Sequence, residues 1–245
     1  MQEKIHGLFT LNVTNSSLNY ELNLFESSVI QKLWSSEYYF NELLTLDIHN
    51  FLVLPPESNS QSVSDIQPSV STTIQTTKLD LEGFCRRLNL LLDGFFMNSM
   101  SVLDTLAHEI PILYSHLGMQ GDIYIGTLSR ALLQTHPTLE LSKFLEKQLS
   151  MAWFVKFSPF RHCTTHESLI GVDNLKFRFD QITRQIKMNK IRLPDNPQVR
   201  PFAYQKKRKA VDFCQTSLNK VRYLVLNAYK NILKDIRGNN NIIPI

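Results

Sequence analysis

The chain has 245 residues, of which 43% are apolar and 10% aromatic, enough to bury a sizeable core in one large domain and too apolar for a disordered or fibrous chain. No apolar run approaches the ~20 residues needed to span a bilayer, and the opening "MQEKIHGLFTLNVTN" lacks the basic-then-apolar order of a secretory signal, so a cytoplasmic protein without a membrane partner is expected. The net charge of +4 is uneven: the balance is −6 over 1–80, +2 over 81–199 and +8 over 200–245. The basic surface therefore gathers at the C-terminal end, where it can attract polyanions or keep a helix soluble.

In chain order, apolar residues from Leu18 to Leu43 and Leu44 recur every three or four positions and predict a helix over about 17–50, within an N-terminal segment 1–56 that packs on the rest. "NSS" ahead of it offers an N-cap. A Ser/Thr/Gln-rich stretch over 57–78 has no period and reads as a polar connection. Helical spacing resumes over about 79–117 through Phe84, Leu88, Phe95 and Leu106, with a bend or an end near Pro111; Phe95, Phe96, Met97 and Met100 are expected core. A third pattern covers 139–156. "SP" at 158–159 predicts a break there, with Ser158 capping a new short helix.

Residues 172–200 alternate weakly and end in prolines, which suggests a loop or small hairpin. From Tyr204 to Ile236, Val211, Cys214, Leu218, Val221, Val225, Ala228 and Ile232 form an amphipathic seam, and 237–245 is a tail. Four long helices with one apolar stripe each can hide those stripes only against one another, so the predicted class is all-α, an antiparallel helical bundle with long loop insertions and possible room for one irregular hairpin. Cys85, Cys163 and Cys214 are odd in number and widely spaced, which favours reduced thiols over disulfides or a zinc site.

The chemistry-bearing stretch is "FSPFRHCTTHESL", where Arg161 and His166 are separated by four residues beginning with the polar His162. This R-x4-H pair, set in an all-α bundle behind a long amphipathic helix, resembles the motif of HEPN domains, helical bundles of bacterial ribonuclease toxins and defence proteins. "MNSMSVLDTLAHEI", with Asp104 in mid-helix, is similar to the second-helix segment of that family, and the likeness covers about 79–236. Arg130 and His136 make a competing pair, but Ala131 follows the arginine and Pro137 the histidine, so that pair is read as a decoy. Where some HEPN toxins carry a modifiable tyrosine two residues after the histidine, Ser168 stands here, and that control is not carried over.

The resemblance implies a metal-independent endoribonuclease acting on single-stranded RNA by 2′-hydroxyl attack, a toxin or defence component without cofactor, with an antitoxin protein as a possible partner. His166 would move protons near neutral pH and Arg161 would grip phosphate, with His162 and Asp104 in support. On a helix the two side chains point about 140° apart. The family supplies a homodimer in which two motifs face each other. Lys206, Lys207, Arg208 and Lys209 would track the RNA backbone. His162 and His166 share a helix face at a zinc-compatible spacing, but no third ligand follows from the pattern, so no metal is expected. The alternative is a non-catalytic HEPN-like module binding RNA, nucleotide or protein. In a plainer reading, Arg161 is a helix-joining ion pair to Asp104 or Glu109, and Trp153 and Tyr38–Tyr39 are packing residues rather than base-stacking ones.

Overall fold

The computed structural model describes the chain at 16–46, 52–53, 78–114, 117, 123–166, 177–180, 185–188 and 191–238, and side chains at 27–46, 80, 82–114, 117, 123–164 and 191–236. Six helices account for most of it: α1 (Ser16–Leu44), α2 (Leu81–Leu113), α3 (Ile125–Thr135), α4 (Glu140–Ser150), α5 (Ala152–His166) and α6 (Ala210–Gly238). Two short antiparallel ladders complete the described elements. β1 (Leu52–Val53) pairs with β2 (Lys78–Leu79), and β3 (Phe177–Asp180) with β4 (Gln185–Met188), the latter a small hairpin inside the weakly alternating region. The all-α helical bundle expected from periodicity is the observed class. The Asn15 cap, the 57–77 connection and the tail beyond 238 lie outside the described residues.

α2 is the central element. Asp80 starts it by accepting the Gly83 N–H at 2.8 Å, and Glu82 places a negative charge in the first turn, where the helix dipole favours it. Its stripe Phe84, Leu88, Leu92, Phe95, Phe96, Leu103, Leu106 and Ile110 is fully buried. α1 lies antiparallel on it, burying Val29, Leu33, Ser36, Phe40 and Leu43 at steps of four and three, with cross-links from Lys32 Nζ to Thr105 Oγ1 (2.6 Å) and from Arg87 to Glu42 (2.6 Å). Gly94 lets the Tyr39 ring approach the α2 backbone closely.

α6 runs parallel to α2, since Phe213 meets Phe96, Tyr229 donates to Glu109 at 2.6 Å, and Tyr114 donates to Asp235 at 3.1 Å. α4 runs antiparallel to α6, and Asp235 also accepts the Glu140 and Leu141 N–H groups that open α4. Cys163 and Cys214 are buried free thiols and Cys85 is half-buried.

Three expectations need correcting. The helix break falls at Met151, which adopts an extended conformation between α4 and α5, and Pro159 sits inside α5 instead of starting a helix. Phe157, Phe160 and Cys163 explain why. Spaced by three, they are all fully buried, and a break at Ser158 would take them off one face. Packing of that stripe outweighs the hydrogen bond that Pro159 removes. The second correction concerns Met97, which is 45% exposed because it lies on the outer side of α2 from Phe95 and Phe96. The third concerns the last helix, which begins at Ala210 rather than Tyr204, because an isolated bridge from Arg192 to Lys209 holds the preceding residues in extended backbone.

Candidate functional site

Because α5 is continuous, Arg161 and His166 both lie in its last turns rather than at the start of a separate helix. The His166 side chain lies outside the described side chains, as does Ser168 altogether. Arg161 faces α2: its Nη2 stands 3.1 Å from Asp104 Oδ2, with the arginine side chain 28% and the aspartate side chain 15% exposed. The guanidinium also sits 5.2 Å from the centroid of the Tyr124 ring, within range of a cation–π contact. Tyr124 in turn is held at the entrance to α3 by Thr127, whose hydroxyl accepts the Tyr124 N–H (2.9 Å) and donates to its carbonyl (2.8 Å).

Asp104 is the hub of this cluster. Besides Arg161, the backbone N–H of Ile125 at the N-terminus of α3 favours its charged form, as the helix dipole does. Burial pushes its carboxyl above the ordinary carboxylate range, and Arg161, the Ile125 N–H, His108 and Lys32 pull in the opposite direction. The result is an arginine held by an acid from α2 and by the aromatic ring at the start of α3.

Sequence reasoning named Arg161 and Asp104 but missed three of their neighbours. His108 was findable, since it lies four residues from Asp104 and so on the same face of α2. Lys32 and Tyr124 come from α1 and from the connection before α3, and no periodicity links them to Arg161. His162 is exposed on α5. His136 ends α3, its N–H bonding to the Leu132 carbonyl and its Nδ1 lying 2.7 Å from Thr135 Oγ1.

The basic run is not uniform. Lys206 and Lys207 are exposed on a turn closed by Asp195, which accepts the Gln205 and Lys206 N–H groups at 2.9 and 3.0 Å; Lys207 adopts a positive φ of 47°. Arg208 is half-buried, donates to the Pro194 carbonyl (3.1 Å) and lies 4.8 Å from the Phe213 ring centroid. Burial lowers its pKa, with Asp195 opposing the effect. Lys209 pairs with Asp212 at 3.3 Å. Trp153 packs its ring against Phe154 and Phe157.

Fold and cluster together define an all-α helical bundle whose R-x4-H arginine is clamped between two helices. Comparison of the chain with protein-family models, curated proteins and solved structures returned no match. Among the described residues no helix is long and apolar enough to cross a membrane, and no group of three or more His, Cys, Asp and Glu could hold a metal ion.

Proposed function

We propose that the chain is a HEPN-like endoribonuclease of the toxin or defence kind, cutting single-stranded RNA without metal. His166 transfers the proton and Arg161 stabilises the charge that develops on the phosphate. The observation that carries this reading is the Arg161 clamp. Catalysis by charge stabilisation requires a cation whose position is set before the substrate arrives, and Asp104 and Tyr124 set it. A guanidinium has five N–H donors, more than one carboxylate oxygen accepts, so pairing with Asp104 and gripping phosphate are compatible chemistry. Two such motifs facing each other across a homodimer would build one composite site.

The test is cleavage of single-stranded RNA. Arg161→Ala and His166→Ala each lower the rate by ~10²–10⁴-fold, and His136→Ala does not. Activity persists in chelator and disappears with 2′-deoxy at the cut site. Equal cutting of the deoxy substrate would refute 2′-hydroxyl attack, and light scattering that shows a fully active monomer would refute the composite site.

The ion pair itself favours a second reading. If Arg161 serves only to join α5 to α2, the chain is a non-catalytic module that binds RNA through its basic C-terminal region. It then binds RNA without cutting it, and Arg161→Ala lowers stability alone.

A further inference from the structure

Away from Arg161, the first half of α5 and the entry to α6 enclose a pocket of about 360 Å³ lined by Trp153, Lys156, Arg208, Lys209, Asp212 and Phe213. That volume lies within the range of small-molecule sites. Three cationic side chains meet one carboxylate, and the electropositive end of the 29-residue α6 adds to the balance. Arg208 directs its N–H groups to the Pro194 and Asp195 carbonyls and so supplies charge. Lys156 and Lys209 come from different elements, and the Lys209–Asp212 pair is an exposed one that exchanges readily for another anion.

The lining also holds the hydroxyl residues Thr216 and Ser217 and two aromatic side chains. Trp153 and Phe213 offer two ring systems. A bare anion would use the lysines and leave the rings unused. A base joined to a phosphate uses both, the base stacking on an aromatic face while the phosphate meets the lysines.

We propose that this pocket takes one nucleotide unit of single-stranded RNA, its base against Trp153 and its phosphate on Lys156 and Lys209. The assignment rests on the RNA reading above and makes Trp153 a specificity-determining contact on the helix that carries Arg161, eight residues or about 12 Å further along its axis.

The chain has two tryptophans, so Trp34→Phe leaves Trp153 as the single reporter. With this variant of the full chain, 2′-O-methyl oligouridylate, which lacks the attacking hydroxyl, is expected to quench the emission. Exposed Lys156 changed to Glu, and separately Lys209→Glu, each weaken the binding about tenfold at low salt, the loss of one charge-assisted contact. Circular dichroism checks that both remain folded. Unchanged emission, quenching indifferent to both lysine reversals, or equal quenching by inorganic phosphate would each overturn the proposal. UMP binding as tightly as the oligonucleotide would overturn the strand subsite in favour of a free nucleotide. The two readings fail separately: a chain that cuts no RNA but is quenched keeps the pocket, and one that cuts without quenching loses it.

Discussion

Arg161 and Asp104, 57 positions apart in sequence, stand 3.1 Å from each other and join α5 to α2. The pair lies at a half-open surface, so removing Arg161 is expected to cost about 1–2 kcal/mol of stability in urea denaturation. The Ile125 N–H still favours the carboxylate left behind, which limits the loss.

Asp104 also carries a pH signature. Its folded pKa is raised by burial, so the folded chain binds the proton more tightly than the unfolded chain does. Wild type should therefore gain stability relative to Asp104→Asn as pH falls from the raised folded value towards the ordinary carboxylate value. Above that window the difference should be flat. Denaturation midpoints over an acid pH series check the sign, and a wild type that loses ground to the variant within that window would contradict it.

Asp235 joins three elements by accepting the Tyr114 hydroxyl and the Glu140 and Leu141 N–H groups. Burial and the neighbouring carboxylate push the Tyr114 pKa well up, so its hydroxyl remains a donor across the working range. Asp235→Ala strands two N–H groups at the start of α4 as well as that hydroxyl. A loss of about 3 kcal/mol is expected, read as a lowered denaturation midpoint with an unchanged slope.

At Gly94, an added Cβ would sit 2.6 Å from two carbons of the Tyr39 ring. Gly94→Ala gains about 1 kcal/mol of helix propensity, but overpacking costs about 1–3, so the net expectation is destabilisation. In a Tyr39→Ala background the same change should become stabilising, and a double-mutant cycle measures the coupling.

The basic run should divide into two behaviours. Arg208→Ala removes the bond to the Pro194 carbonyl and the contacts with Phe160 and Phe213, and is expected to cost about 1–3 kcal/mol of stability. Lys206→Ala and Lys207→Ala change exposed groups. If they track phosphate, each lowers the slope of log affinity against log salt by about 0.7 while the melting temperature stays put.

Periodicity was enough to determine the all-α class, because an apolar stripe recurring every three or four residues has one way to be buried, against other such stripes. The seam from Cys214 to Ile232 is buried as its spacing requires, and the R-x4-H pair was visible as a pattern. Tertiary structure decided what pattern could not. Pro159 stays inside α5 because Phe157, Phe160 and Cys163 must share one face. Arg161 finds Asp104, Tyr124 and the start of α3 because α2 carries its aspartate past α5. Trp153, Lys156 and Lys209 line one pocket because α5 and α6 pack side by side. Local sequence encodes the period of an element, whereas the partners of its side chains depend on which distant element the buried stripe selects.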